Sequence, residues 1–267
     1  MKVEYSEYER VPSKKNKKRK AKRNRAIVAI TAIFLVLCVV VGIIVAVFFN
    51  VKDIKVIGQG IYTQEEIIYA SGILNGDNLL FMSSSTIENR VREALPYLKN
   101  VEIIKSFPNK VGIKVTSAVE EYLLENKNGK YVADKDFKIL RVTAEIPQNL
   151  IRVKGLTTDE LKPGVNATFS DKQQRDAFFE LLKILNEKKI NVKYINIESL
   201  VNISFMINDN LYIKFGSFNE VVGKIEHLEA SLDQVDDEMS ASISLIDWSI
   251  NNKKAILKYE DVSKYLE

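Results

Sequence analysis

The sequence predicts an α+β protein: a single transmembrane helix, then a small β-α-α-β-β module, then a larger mixed or antiparallel β-sheet domain with flanking helices. Three observations carry this reading. Residues 26–49 are 24 consecutive positions without a charged side chain. Beyond them, short period-two apolar stretches bounded by Gly, Asn, Asp and Pro alternate with segments that carry helix caps and apolar stripes. The one cysteine, Cys38, lies inside the apolar run, so the rest of the chain depends on its core and not on internal disulfides.

At 1.5 Å per residue the apolar run spans about 36 Å as a helix, enough to cross a hydrocarbon core of roughly 30 Å with some tilt. A helix also satisfies its own backbone hydrogen bonds in lipid. Residues 1–25 carry eleven Lys or Arg against three Glu, a net of +8, which leaves −4 for the remainder of a chain of net charge +4. The positive-inside bias keeps the basic end in the cytoplasm and sends everything after Phe49 outward. A cleaved signal peptide needs an apolar region of about 7–15 residues and small residues at the cleavage site. Here the run is longer and leaves through Val47-Phe48-Phe49-Asn50-Val51, where no A-x-A pattern fits. The basic stretch 14–23 has the composition of a nucleic-acid patch. Beside a bilayer, however, the same charge sets topology and is drawn to anionic lipid, at about 1 kcal/mol per residue near the surface. Membrane lipid along residues 26–49, and not nucleic acid, is the partner expected of this end.

The exported part reads in order. Residues 51–57 alternate as a half-buried strand that begins almost at the membrane. Thr63 with Glu66 forms a capping box for a short helix to about Ala70, ended by Ser71-Gly72. Asn75-Gly76-Asp77-Asn78 is a turn, and Leu79-Leu80-Phe81 is an apolar plug. Ser85 with Glu88 forms a second capping box for a helix to about Leu95, stopped by Pro96. Strands at 101–104 and 111–115 follow. Helices over one face of a three-stranded sheet bury these apolar sides economically. Next, 120–125 pairs with 130–133 across Asn126-Lys127-Asn128-Gly129, a hairpin signal. Asp134-Lys135-Asp136 turns into a strand at 137–142, and Leu161-Lys162-Pro163-Gly164 marks a loop. Ser170 with Gln173 caps a helix from Asp171 to about Lys188, whose Phe178, Leu181, Leu182 and Leu185 form one stripe. Strands at 194–197, 203–207 and 211–216 precede a helix with Val221, Ile225, Leu228 and Leu232 on one face. Strands at 243–248 and 255–259 close the domain around Asn251-Asn252.

In this order and directly after an anchor, the passages VKDIKVIGQGIYTQEEI, GDNLLFM and LPYLKNVEIIKSFPNKVGIKV resemble the POTRA domain of the FtsQ/DivIB family of bacterial divisome proteins. The hairpin's second apolar landmark is Val111 where the family has Leu. Residues 146–155 resemble the family's L-P-x-L-x-G passage. SLIDWSINNKKAILKY resembles its closing hairpin, with the usual basic residue after Asp247 displaced. The resemblance implies five segments: a cytoplasmic basic tail at 1–25, the transmembrane helix at 26–49, a POTRA domain at 51–116, the FtsQ/DivIB β domain at 117–259, and a C-terminal tail at 260–267. It further implies a non-enzymatic scaffold at the division septum. Its implied partners are bitopic FtsB/DivIC-like and FtsL-like proteins, with septal peptidoglycan synthase machinery nearby. The alternative from another class is a membrane-anchored cell-wall enzyme or peptidoglycan-binding protein.

Candidate chemistry is sparse. His227 is the only histidine, on the polar side of its helix, with no second His or Cys at metal-ligand spacing. A thiol nucleophile is excluded by Cys38 lying in lipid. Ser83-Ser84-Ser85 reads as a loop and cap, and a Ser-His-Asp arrangement would have only His227 to use. Asp236-Asp237-Glu238 reads as a solvated loop. Neither a G-x-x-x-x-G-K-[ST] loop nor a Rossmann glycine pattern is present, so no cofactor is expected. What remains is strand edges, whose unpaired backbone groups can accept another protein's strand. In the family the second domain does this through its last strands. The matching positions are Ser249, Ile250, Ala255, Ile256, Leu257, Lys258 and Tyr259. The residues leave two readings open: Ile256 and Tyr259 pack into the protein's own core, or they face a partner.

The charge asymmetry gives a direct test of topology. A reporter active only outside the membrane should be active when fused after Glu267, and a cytoplasm-only reporter there should be silent. The opposite pattern would place the large C-terminal part inside.

Overall fold

A computed structural model describes residues 14–236, 239–246 and 254–266. The chain divides into two compact units. One comprises Met1–Lys55, Ile73–Met82 and Lys105–Gly112, the other Val56–Gly72, Ser83–Ile104 and Ile113–Glu267. Helix α1 (Lys14–Phe48) begins in the basic stretch and contains, at Lys22–Phe48, a span long and apolar enough to cross a membrane.

The small module has the expected element order: β1 (Asp53–Ile57), α2 (Gln64–Ser71), α3 (Ser84–Ala94), β2 (Leu98–Ser106) and β3 (Lys110–Ser117), with the strands in the order β1-β3-β2. The first capping box is present: Thr63 Oγ1 accepts from Glu66 N at 3.2 Å and Thr63 N donates to the Glu66 carboxylate at 2.8 Å. Gly72 ends α2 at φ 64°, a left-handed position that glycine takes without a Cβ penalty. The second cap differs from expectation. Ser83, not Ser85, is the N-cap and accepts from Thr86 N. Glu88 therefore lies two residues too far along to reach back to the cap. Its carboxylate instead accepts from Ile103 N at 2.9 Å, tying α3 to β2, while Ile87 and Val91 are buried. The apolar plug is also corrected, since only Leu79 is buried and Leu80 and Phe81 are exposed.

The large sheet has nine strands: β4 (Tyr122–Asn126), β5 (Gly129–Ala133), β6 (Ile139–Thr143), β7 (Ile151–Lys154), β8 (Val192–Asn196), β9 (Ile203–Ile207), β10 (Leu211–Gly216), β11 (Ala241–Ser244) and β12 (Ile256–Tyr259). Their order is β12-β11-β10-β9-β8-β7-β4-β5-β6. The sheet is mixed, with β4/β7, β7/β8 and β10/β11 parallel and the remaining neighbours antiparallel. In the β4–β5 hairpin Asn126 pairs with Gly129, so Lys127-Asn128 form the turn, and Asn126 Oδ1 accepts from both Asn128 N and Gly129 N.

Two of the three parallel pairs join strands consecutive in the chain through helical crossovers, α4 (Lys172–Glu187) between β7 and β8 and α5 (Val221–Leu232) between β10 and β11. Strands β7 and β10 run the same way, and both connections step toward the same end of the sheet. Crossovers of one hand then put both helices on one face. Phe178, Leu181 and Leu185 of α4 and Ile225 and Leu228 of α5 are accordingly buried in a single core with Ile195, Phe205, Ile213 and Phe215. The cap of α4 is Asp171, accepting from Gln174 N at 3.0 Å, and not the expected Ser170, whose hydroxyl donates to Asp159. Gln174 is buried. Its amide donates to the Gly155 and Ile197 carbonyls at 2.8 and 2.7 Å and its oxygen accepts from Thr157 N, fastening α4 to the ends of β7 and β8. At Gly155 (φ 89°) a Cβ would stand 2.4 Å from Glu198 N, so only glycine lets the two segments approach.

Phe178 and Phe179 separate core from surface on adjacent residues of α4. Phe178→Ala should cost about 3–5 kcal/mol by chemical denaturation, as deletion of a fully buried aromatic does. Phe179→Ala, at a partly exposed ring, should cost clearly less. Equal costs would contradict the placement of the α4 stripe.

Candidate functional site: the terminal edge of the large sheet

Among the described residues β12 ends the nine-strand order, with β11 on one side and no strand on the other. Its antiparallel register pairs Tyr259 with Ala241, Lys258 with Ser242, Leu257 with Ile243 and Ile256 with Ser244. Leu257 and Ala255 pack against the helix-side core. Ile256 is 52% exposed, Tyr259 45%, and Lys258 is exposed as well. Of the seven expected positions, five are thus together on one strand and its approach, while Ser249 and Ile250 lie outside the described residues.

What holds this strand was not read from the sequence. Glu260, the residue after β12, is nearly buried and gathers five donors. Its Oε1 accepts from the Ser242 hydroxyl at 2.5 Å, the Tyr265 hydroxyl at 3.1 Å and the Lys214 ammonium at 3.2 Å. Its Oε2 faces the Lys264 ammonium at 2.9 Å and that of Lys258 at 3.3 Å. These donors, led by the Ser242 hydroxyl and then Lys264, hold the carboxyl well below the usual carboxylate range. The segment continues along the sheet face opposite the helices. Val262 is buried with Tyr194, Met206 and Tyr212. Tyr265 stacks on Tyr212 with centroids 4.4 Å apart and planes 17° from parallel, and Arg152, paired with Glu125 at 2.8 Å, donates to the Leu266 carbonyl. Residues 260–266 are therefore a fastening, where the sequence suggested only a tail. The signal was present as Val262, Tyr265 and Leu266, spaced i, i+3, i+4 amid polar residues.

Other chemistry is engaged elsewhere. His227 is exposed on α5 with its ring nitrogen 3.3 Å from the Gly223 carbonyl. No group of three His, Cys, Asp or Glu is placed to hold a metal among the described residues. A polar cleft of about 460 Å³ is lined by Arg92, Lys99, Asp136 and Lys138 among others. There Lys99 pairs with Asp136 at 2.7 Å, and the Lys138 ammonium donates to the Arg92 and Leu98 carbonyls at 3.0 and 2.9 Å. Burial pushes the Lys138 ammonium down to about 8.

The family model for the POTRA domain, FtsQ-type, matches residues 49–117. The chain is 28% identical over 188 residues to the cell division protein DivIB of Clostridium tetani, covering 70% of this chain and 68% of that one. It is 25% identical over 170 residues to DivIB of Clostridium acetobutylicum, covering 62% and 65%. With DivIB of Clostridium botulinum (strain Hall) it shares 28% identity over 220 residues, covering 81% and 79%. Residues 49–117 form an FtsQ-type POTRA domain, and over most of its length the chain is similar to DivIB cell division proteins. Its relatives being cell division proteins supports a role in division for this chain, and its three-stranded module falls within the matched POTRA residues.

The Glu260 fastening carries a pH signature. A carboxyl whose folded-state pKa is depressed contributes stability that is present above the unfolded value of about 4.3 and is lost as pH falls toward the folded value. Glu260→Gln should therefore lower Tm near neutrality, and its deficit against wild type should narrow on acidification below about pH 4. A deficit unchanged by acid would show that charge plays no part in the fastening.

Proposed function

We propose that the chain is a non-enzymatic, bitopic scaffold of the bacterial divisome, with its amino terminus in the cytoplasm and its two α+β modules outside, at the septum. The modules are taken as 51–116 and 117–259. It would capture FtsB/DivIC-like and FtsL-like bitopic partners and hold them near the septal peptidoglycan synthase machinery. One observation carries the reading. The last strand of the large sheet offers an outer ladder without a neighbour among the described residues, flanked by the exposed side chains of Ile256, Lys258 and Tyr259. Such an edge accepts a partner strand through main-chain hydrogen bonds while a few side chains add specificity.

The family comparisons support the division role, and the fastening of Glu260 supports a strand held ready in one register, which lowers the ordering cost of capture. Lys258→Glu would set a new carboxylate against Glu260 and confound binding with folding. Ile256→Ala and Tyr259→Ala avoid this. Each should weaken capture of a DivIC-like partner, with Tyr259→Ala costing about 2 kcal/mol, roughly thirtyfold in affinity, while circular dichroism and melting stay close to wild type. Unchanged binding in both variants would remove the interface from this edge.

A further inference from the structure

In the first compact unit, two segments of the small module return to the outer end of α1. Asn78 Nδ2 donates to the Val45 carbonyl at 2.7 Å, and Leu79 N donates to the Phe49 carbonyl at 2.8 Å. Val51 N donates to Asp77 O at 2.8 Å, Gly76 N to Val51 O at 2.9 Å, and Lys52 N to Asn109 O at 2.9 Å. The Phe49 ring meets Phe107 edge-on, with centroids 5.9 Å apart. Beside these contacts the unit leaves large apolar side chains uncovered: Phe81 is 81% exposed, Leu74 67% and Phe107 57%, and Leu80 is exposed too. Lys52 and Lys110 are exposed in the same unit.

Depth decides what covers them. The apolar run exceeds a hydrocarbon core of about 30 Å by roughly four residues' rise, which sets Val45–Phe49 in the headgroup region if the amino-terminal part of the run meets the opposite boundary. Hydrogen bonds to the Val45 and Phe49 carbonyls then fix Asn78 and Leu79, and with them Leu80 and Phe81, at that level. Aromatic and aliphatic side chains are stable at this boundary, and lysines beside them reach lipid phosphates. We propose that the 73–82 loop and the turn carrying Phe107 form a membrane seat, in which Leu80, Phe81 and Phe107 enter the outer-leaflet interface while Lys52 and Lys110 face its phosphates. The occupant is lipid because the patch is continuous with the spanning helix. The proposal rests on residues 26–49 crossing the bilayer.

The test uses the full chain with Trp248 replaced by Phe, reconstituted at one copy per nanodisc of phosphatidylcholine and phosphatidylglycerol. Single tryptophans are introduced as Phe81→Trp, Ile44→Trp and Val201→Trp. Lipids brominated near the top of the acyl chain serve as the quencher. Phe81→Trp should show blue-shifted emission and strong quenching, Ile44→Trp should be quenched by lipids brominated deeper, and Val201→Trp, at an exposed site of the large domain, should be unaffected. Quenching at Ile44→Trp without quenching at Phe81→Trp overturns the seat and leaves the anchor standing. Absence of quenching at both overturns the anchor itself. A blue shift at Phe81→Trp that appears only with two copies per disc assigns the patch to self-association and also overturns the proposal.

Discussion

The helix-side core of the large sheet is the constraint from which the rest of the large domain follows. Phe178, Leu181 and Leu185 on α4 and Ile225 and Leu228 on α5 need one apolar face to cover, and Ile195, Phe205, Ile213 and Phe215 supply it. Because the two helices are crossovers between parallel neighbours, burying both on one side fixes the direction in which the sheet grows. Strand β11 is laid beyond β10, and β12 folds back antiparallel to β11. Among the described residues no further strand follows, so β12 is left as an edge. An edge is a liability unless it is short, charged or occupied. This one spans Ile256–Tyr259 and carries Lys258.

The opposite face of the sheet explains how so short a strand keeps its place. Four residues of ladder hold a terminal strand weakly, and Leu257 alone gives it little core. Glu260 compensates by drawing Ser242 of β11 and Lys214 of β10 onto one carboxylate immediately after the strand. The Tyr212–Tyr265 stack and buried Val262 extend the hold across β8, β9 and β10. The strand is thus fixed from both faces while its outer backbone is left uncovered among the described residues.

Much of this was legible in the residues. The Thr63–Glu66 box, the left-handed Gly72, the stripe of α4 and the face of α5 are local patterns, and local patterns survive folding. Misreadings came where several residues compete for one role. In Ser83-Ser84-Ser85 any member has a cap's chemistry, and the burial of Ile87 and Val91 selected Ser83. At Ser170-Asp171 the carboxylate won, because a negative cap also complements the helix dipole. Leu79-Leu80-Phe81 looks like core by composition, yet two of the three are exposed. Hydropathy alone does not distinguish a side chain destined for a protein core from one suited to lipid.

Buried lysines mark the limit of pattern reading most sharply. Lysine is almost never fully buried unless paired, yet Lys138 and Lys224 are both buried with their ammonium groups on backbone carbonyls. The acceptors share a physical origin. Arg92 lies in the last turn of α3, whose carbonyls have no intrahelical donor, and Phe215 and Ser217 stand where β10 gives way to a loop. An unpaired buried carbonyl is costly, and a lysine brings a charge-assisted donor on an apolar stem that packs like core, as Lys224 does over the Phe215 ring at 4.9 Å. Burial lowers both lysines from their ordinary values, the expected direction for cations that have exchanged water for carbonyls. The same logic, applied to an anion, describes Glu260, where cationic and hydroxyl donors converge on a carboxylate. In each case a charge at the end of an element completes hydrogen bonding that the regular structure leaves open.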